Sequence, residues 1–252
     1  MTELYVQRDQ PPGVPPLHLT GERTLPDVPE ENYWYRRHLV VYEWIADRVA
    51  GRRVVDVASG EGYGADVLAR QAASVSGIEP NPEAYEHARL KYPRVAFRRA
   101  IAETFVEPCD AIVFLQTIEH VADPDHVLEH FKAQLSPGGV AYVSTPNVLT
   151  LAPRGAERSG NPWHVKEYRA EEFRALCEAH FRHVELLGLF HARKLRLHEL
   201  AIERAGWDTI HARLGLTTRF YDRFTPAIST RDFALRPTGL DRALDFLAVC
   251  RP

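Results

Sequence analysis

The chain has 252 residues, 31 Lys and Arg against 34 Asp and Glu, a formal net charge of −3, and three Cys. An apolar fraction of 45% and a charged fraction of 26% are typical of a folded globular protein and exclude wholesale disorder. This charge balance gives no electrostatic reason to expect a nucleic-acid partner. No apolar run approaches the ~18 residues that span a bilayer, and the N-terminus lacks the apolar stretch of a secretory signal. We therefore expect no membrane partner and a cytoplasmic location.

Residues 1–30 carry two clusters of prolines, at 11–16 and 26–29. Proline at this density disfavours regular helix, so the pattern predicts an extended N-terminal arm followed by one domain over residues 31–252. The three cysteines are far apart and form no CxxC pair, which indicates neither a disulfide framework nor a zinc site.

Beyond the arm, β-rich and helical segments alternate. We expect strands at 52–58, 75–79, 94–99, 110–116, 140–145, 183–191 and 243–250. We expect helices at 32–51, 65–73, 81–92, 124–135 and 170–181. Alternation of this kind predicts parallel βαβ units, and the nearly continuous apolar character of the strands indicates that helices cover both sheet faces. The predicted fold is α/β, a doubly wound Rossmann-like sheet of seven strands.

Roughly fifty residues separate the last two predicted strands, far more than the usual connection of a few residues. A helical pattern at 194–206 lies within this segment. We therefore predict a helical insertion over 193–240, before the last strand, that acts as a lid on a substrate pocket.

A strand, a glycine-rich turn and a helix follow one another in VVDVASGEGYGADVLA, residues 54–69. Gly60, Gly62 and Ala65 match the dinucleotide-binding fingerprint, and Glu79 lies at the right distance to hold ribose hydroxyls. A pyridine-nucleotide dehydrogenase is one interpretation. Asp56, just ahead of the glycines, would repel a pyrophosphate but attract a cation such as S-adenosylmethionine, which carries a sulfonium and no phosphate.

The loop resembles that of class I S-adenosylmethionine-dependent methyltransferases, which usually reads D-x-G-x-G-x-G, with Ala58 here in place of the first glycine. The resemblance implies S-adenosylmethionine as cofactor and a sheet of the class I type. It implies that Asp56 supports the loop, that Gly60 and Gly62 line the methionine moiety, and that Glu79 binds the ribose hydroxyls. The other positions that it assigns to the cofactor are Ala58, Ile101 and Ala102 near the adenine-side turn, and Gln116 after the fourth strand.

Methyl transfer by in-line attack requires above all a positioned nucleophile, and a hydroxyl nucleophile benefits from a base, most often histidine. His120 follows the fourth strand in QTIEH, with Glu119 beside it. His164 lies in NPWHVKEY, with Glu167 three residues later. Both histidines are candidates for the general base, with the two glutamates as pocket acids, and either one is equally explained as a turn or capping residue.

Several segments together are similar to actinobacterial sugar O-methyltransferases of polymethylated polysaccharide synthesis. These segments are TGERTLPD (20–27), DVASGEGYGAD (56–66), the EH at 119–120, STPN (144–147) and NPWHVKE (161–167). The resemblance implies a sugar or oligosaccharide acceptor. It also implies an arginine near the cofactor carboxylate, and we expect Arg36 or Arg37 to serve because Val41 stands where the subfamily favours arginine.

Aromatic side chains are consistent with a carbohydrate acceptor, since flat rings stack on sugar faces; they are Tyr33, Trp34, Tyr35 and Trp163. Mg²⁺ is a possible second cofactor, with oxygens from Glu119, Glu167 and Asp123. The arm and the insertion also make a homodimer possible. The alternatives left open are a methyltransferase of another small molecule, such as a quinone or polyketide, and a cofactor-binding subunit without catalysis.

Overall fold

The computed structural model describes residues 10–20, 23–26, 28–153, 155–205 and 218–252. The strands are β1 Arg53–Val57, β2 Ser74–Ile78, β3 Ala96–Arg98, β4 Cys109–Phe114, β5 Leu135–Pro146, β6 His183–His191, β7 Phe233–Arg236 and β8 Asp245–Arg251. The helices are α1 Asn32–Ala46, α2 Tyr63–Leu68, α3 Pro82–Lys91, α4 Pro124–Gln134, α5 Val148–Leu151, α6 Ala170–His180, α7 Arg193–Ala205 and α8 Thr218–Phe224. Among these residues no helix has the length and apolar character needed to cross a bilayer.

The strands form one eight-stranded sheet in the order β3-β2-β1-β4-β5-β8-β6-β7. The α/β, Rossmann-like prediction is confirmed, but the predicted count of seven strands is wrong. Each predicted strand has a counterpart, and β7 is the additional one, a four-residue edge strand inside the predicted insertion. Strands β1 to β5 pair in parallel, whereas β8 is antiparallel to both β5 and β6. An apolar run predicts a strand but not the direction of that strand in the sheet. The direction of β8 depends on the short link from β7, which crosses β6.

Alternation along the strands builds a core on each side of the sheet. In β4, Ala111 and Val113 contribute to one buried cluster, whereas Ile112 and Phe114 contribute to the other. Successive side chains of a strand point to opposite faces, so a strand that is apolar throughout needs cover on both. Helices α1 and α2 supply that cover on the first face, and α4 and α6 supply it on the second.

A buried ion pair joins the first helix to the last strand. The Arg37 guanidinium donates to both carboxylate oxygens of Asp245, from Nε at 2.7 Å and from Nη2 at 2.6 Å, and both side chains are almost completely buried. Burial alone would lower the pKa of Arg37, but the Asp245 carboxylate raises it above its ordinary value. The pair fixes α1 against the start of β8, which lies inside the sheet between β5 and β6.

The described part of the N-terminal arm has neither regular helix nor strand, yet it is held against the domain. Leu17, Leu25 and Val28 are buried together with Ala84 of α3. His87 of α3 reaches the carbonyl oxygen of Pro15 at 2.7 Å. Within the predicted insertion, α7 matches the helix expected at 194–206, α8 is a further helix, and residues 206–217 lie outside the described part of the chain.

Candidate active site

A cleft of about 370 Å³ opens at the carboxyl ends of β1, β2 and β4. This is the point where the strand order reverses between β1 and β4, and ligands of open α/β sheets bind at such points. The lining residues are Thr20, Arg23, Thr24, His38, Tyr42, Ala58, Ser59, Gly60, Glu61, Tyr63, Glu79, Leu115, Gln116, Thr117, His120 and Trp163. The volume falls within the range of about 300–1,000 Å³ that is typical of small-molecule sites.

The loop after β1 adopts left-handed backbone at its cleft-facing positions. Ala58 has a φ of 57° and Gly60 a φ of 57°. Alanine in this region costs roughly 1–2 kcal/mol, which is why glycine is usual there. Gln116 also has a positive φ, 51°, and its side-chain amide donates to the Ser144 hydroxyl at 3.0 Å. Two non-glycine residues with this backbone therefore face one cleft, as is common at functional sites.

Gly62 has a packing role that was not predicted. It does not line the cleft, and a Cβ at this position would lie 2.8 Å from the Cβ of Ala88 in α3. Its φ of 98° is a second reason for glycine. Gly62 therefore allows the loop to pack closely on α3, and its contact with the methionine moiety stays a prediction.

Glu79, at the end of β2, faces the cleft and supports the loop. Its carboxylate accepts the backbone N–H of Gly60 at 2.8 Å and that of Asn81 at 2.9 Å. Burial raises the pKa of Glu79, against the opposing effects of these two N–H groups and of the Arg23 charge. Each carboxylate oxygen has a second lone pair, so Glu79 is still able to accept from a ligand diol.

The remaining predicted cofactor residues lie outside the lining of the cleft. Asp56 is fully buried behind the loop, where the Tyr42 hydroxyl donates to its Oδ1 at 3.3 Å, and burial raises the pKa of Asp56 to about 8. Ile101 points into solvent, and Ala102 packs on the core beneath β1 and β4. Arg36 is also elsewhere, because its Nε donates to Asn32 and its guanidinium lies over a tyrosine ring.

The arginine in the cleft is Arg23, which belongs to the arm and which sequence reasoning missed. Its stem lies 3.9 Å from the place that a Cβ of Gly60 would occupy, so it covers the glycine loop. Thr24, next to it, hydrogen-bonds through its hydroxyl to Nδ1 of His38 at 3.0 Å. Arg23 lies in the TGERTLPD segment (20–27) that the sequence analysis singled out, but a motif in an extended arm does not specify where the arm lies.

His120 and His164 come together although they are far apart in sequence. The N–H groups of Val165 and Lys166 donate to the carbonyl oxygen of Glu119, at 2.8 and 3.1 Å. This pairing brings the two imidazole rings edge to face, with centroids 4.9 Å apart. His120 lines the cleft, whereas His164 and Glu119 are buried behind it.

Each histidine has its Nδ1 against a group that only accepts hydrogen bonds. Nδ1 of His164 lies 2.8 Å from Oε1 of Glu167, and Nδ1 of His120 lies 3.0 Å from the Trp163 carbonyl oxygen. Burial favours a raised pKa for Glu167, but hydrogen bonds from Ser159 and His164 hold that pKa below its ordinary value. Both Nδ1 atoms therefore carry a proton, and in the neutral rings both Nε2 atoms carry the lone pair.

The predicted Mg²⁺ ligands are not brought together. Glu167 is bound to His164 and Ser159, and Asp123 accepts the His126 N–H as the N-cap of α4. Of the four predicted pocket aromatics, only Trp163 lines the cleft. Tyr33 instead bonds the ring of His191 at 2.8 Å.

A buried network below the loop was also missed. Glu61 accepts from Lys91 at 2.7 Å and from the Tyr92 hydroxyl at 2.9 Å, and His87 lies 3.1 Å from it. Because His87 also reaches Pro15, this network joins the glycine loop, α3 and the arm. The sequence gives no sign that a glutamate within the glycine loop accepts hydrogen bonds from side chains of α3 and the residue after it.

The site fits the cofactor that the loop implies. Ser59 Oγ is buried in the cleft wall and has no hydrogen-bond partner within the described ranges. Glu79 offers acceptors for a diol, and Arg23 offers donors for a carboxylate. S-adenosylmethionine has a ribose diol and an amino-acid carboxylate, and both would find these partners.

Comparison with known proteins gives the family. The model of a methyltransferase domain matches residues 33–211. A probable S-adenosylmethionine-dependent methyltransferase of Mycolicibacterium smegmatis is 39% identical over 246 residues, covering 92% of this chain and 94% of that protein. A ubiquinone biosynthesis O-methyltransferase of Xylella fastidiosa is 38% identical over 129 residues, covering 46% of this chain and 52% of that protein.

Among solved structures, an S-adenosylmethionine-dependent methyltransferase of Thermotoga maritima has the same fold, with a TM-score of 0.58 at 16% identity, covering 88% of this chain and 94% of that one. The dehydrogenase interpretation is therefore set aside. The chain belongs to the class I S-adenosylmethionine-dependent methyltransferases, and it is an enzyme of methyl transfer.

Proposed function

We propose that this methyltransferase transfers its methyl group to a hydroxyl of a sugar or oligosaccharide, in the synthesis of a polysaccharide. The observation that carries the proposal is His120 in the cleft lining, with the ring of His164 against it and with Trp163, which is 65% exposed, in the same lining. A hydroxyl must lose a proton during methylation, and imidazole is the side chain best suited to accept one near neutral pH.

S-adenosylmethionine supplies a methyl group on a sulfonium, so the chain itself has to position the acceptor and remove its proton. His120 lines the cleft and is the member of the pair that an acceptor would meet, with the ring of His164 packed edge to face against it. Glu167 keeps the His164 ring in place, and Trp163 presents a flat apolar face on which a sugar ring stacks. We propose that the hydroxyl proton is removed at this pair.

A second candidate acceptor is a phenolic hydroxyl, such as that of a catechol or a quinol. The observation in its favour is the 38% identity over 129 residues to the Xylella O-methyltransferase. That similarity covers about half of each chain, whereas the features at the cleft mouth favour a sugar.

The test is a methyl-transfer assay with a panel of mono- and oligosaccharides beside a panel of catechols and quinols. We expect saccharide methylation, and a turnover about 100-fold or more lower in His120→Ala and His164→Ala, with the affinity for S-adenosylhomocysteine within about twofold of wild type. His126→Ala, on the exposed face of α4, is the matched control. Methylation of the phenols alone, or full activity in both histidine variants, would contradict the proposal.

A further inference from the structure

Glu119, His120 and His164 each have one potential metal-ligand atom near the other two, and these three atoms all lie within 4.8 Å of one another. Nε2 of His120 is 4.0 Å from Oε1 of Glu119. Ligands at about 2.1 Å from a metal ion are separated by roughly 3–3.5 Å, so a small rotation of the half-exposed His120 ring would complete the site.

The surroundings of the two rings are those of metal-binding histidines. Such residues usually donate the ring N–H that does not bind the metal to a carboxylate or a backbone carbonyl, which fixes the tautomer and the ring orientation. His164 does the former through Glu167 and His120 does the latter through Trp163. These two hydrogen bonds leave Nε2 of each ring as the ligand atom, and Nε2 of His120 is the nitrogen that approaches the Glu119 carboxylate, at 4.0 Å.

We propose that Glu119, His120 and His164 bind one divalent first-row transition-metal ion at the mouth of the cofactor cleft. Two imidazole nitrogens and one carboxylate suit Zn²⁺, Mn²⁺, Fe²⁺ or Co²⁺, whereas Mg²⁺ is bound mainly by oxygen ligands. The site therefore differs in ligands and in metal from the Mg²⁺ site that the sequence suggested.

The role of the ion rests on the proposed function. Three protein ligands leave coordination positions free, and because His120 lines the cleft these positions face the place where an acceptor would lie. A hydroxyl oxygen of the acceptor would occupy one of them, and a bound cation lowers the pKa of a coordinated hydroxyl. With the ion bound, the two Nε2 atoms would hold the metal in place of accepting the proton, and the coordinated hydroxyl would lose its proton to solvent in the open cleft. The resulting oxygen would form the bond to the methyl group as the methyl–sulfonium bond breaks and S-adenosylhomocysteine leaves. Glu167 is a positioning residue for His164.

The experiment uses the tag-free full chain, stripped with EDTA and titrated with ZnCl₂ by calorimetry and with CoCl₂ by visible absorption. We expect one ion per chain, a visible Co²⁺ ligand-field band, and at least tenfold weaker binding in His120→Ala, His164→Ala and Glu119→Gln, with about tenfold weaker binding in Glu167→Gln. His126→Ala should bind as wild type. Because Glu119 is buried, its substitution could disturb the fold, so thermal unfolding is measured for each variant. The stoichiometry and the Co²⁺ spectrum of the wild-type protein test the site without any variant.

The metal site would be overturned if the wild-type protein did not bind one ion per chain. It would also be overturned if His120→Ala and His164→Ala both bound the ion as tightly as wild type. The two proposals fail separately. Saccharide methylation that persists in EDTA-treated protein unable to bind Zn²⁺ overturns the site and leaves the function standing. One bound ion with no methylation of any saccharide overturns the function and leaves the site standing.

Discussion

The Glu79 carboxylate accepts the backbone N–H of Gly60 at 2.8 Å, and so connects the end of β2 to the loop that follows β1. The same carboxylate faces the cleft, and we propose that it accepts from the ribose of the cofactor there. One side chain thus both shapes the loop and offers the ligand acceptor.

Glu79→Ala should therefore weaken the binding of S-adenosylhomocysteine about tenfold to a hundredfold, more than the loss of one hydrogen bond would. The variant loses both the hydrogen bond that holds the loop and the proposed contact with the ribose. Calorimetric titration measures this effect. Glu83→Ala, an exposed glutamate of α3, is the control and should bind as wild type. Unchanged affinity in Glu79→Ala would contradict the assignment of the cleft.

Arg23 should bind the carboxylate of the cofactor. We expect Arg23→Ala to raise the KM for S-adenosylmethionine about tenfold or more, since it removes a charge-assisted hydrogen bond. Arg36→Ala, which removes an arginine held outside the cleft, should change that KM less than twofold. The opposite ranking of these two variants would restore the assignment made from the sequence.

His38 should make the fold sensitive to acid. Burial lowers the pKa of His38 to about 4, so the unfolded chain binds a proton here between pH 6.5 and 4 and the folded chain does not. The stability due to neutral His38 is complete above pH 6.5 and is lost as the pH falls toward 4. Between pH 7 and pH 5, the wild-type protein should lose about 2 kcal/mol of unfolding free energy through His38.

Urea unfolding of wild type and His38→Gln at the two pH values measures this contribution. The variant should lose about 2 kcal/mol less stability than wild type between them. His126→Gln, at an exposed position, should follow the wild-type profile. Parallel profiles for wild type and His38→Gln would show that His38 accepts a proton in the folded chain as readily as in the unfolded one.

The Arg37–Asp245 pair should be far more sensitive to mutation than an exposed pair. Asp245→Asn leaves a guanidinium buried without its charge partner, and we expect it to cost about 3–5 kcal/mol of unfolding free energy. Arg53 and Asp110 form a solvent-exposed pair of similar geometry, and Asp110→Asn should cost less than about 1 kcal/mol. Chemical denaturation compares the two, and equal costs would argue against the burial of Arg37.

Sequence patterns located most of the fold because they depend on local physics. The alternation of apolar strands with capped helices predicted seven of the strands, and Asn81 followed by Pro82 marked the start of α3. The histidines and glutamates of QTIEH and NPWHVKE were identified by residue type. The edge strand β7 was not predicted, because a strand of four residues is too short to show a clear alternation of apolar and polar side chains.

The sequence by itself determined the α/β class, the glycine loop with its acids, and the histidine and glutamate candidates of QTIEH and NPWHVKE, because these follow from spacing along a short stretch of chain. Only the tertiary structure placed Arg23 over the loop, turned Gly62 toward α3 and brought His164 to His120. Those relations depend on backbone hydrogen bonds and packing between segments distant in sequence, such as the pairing of Glu119 with Val165, and no local pattern encodes them.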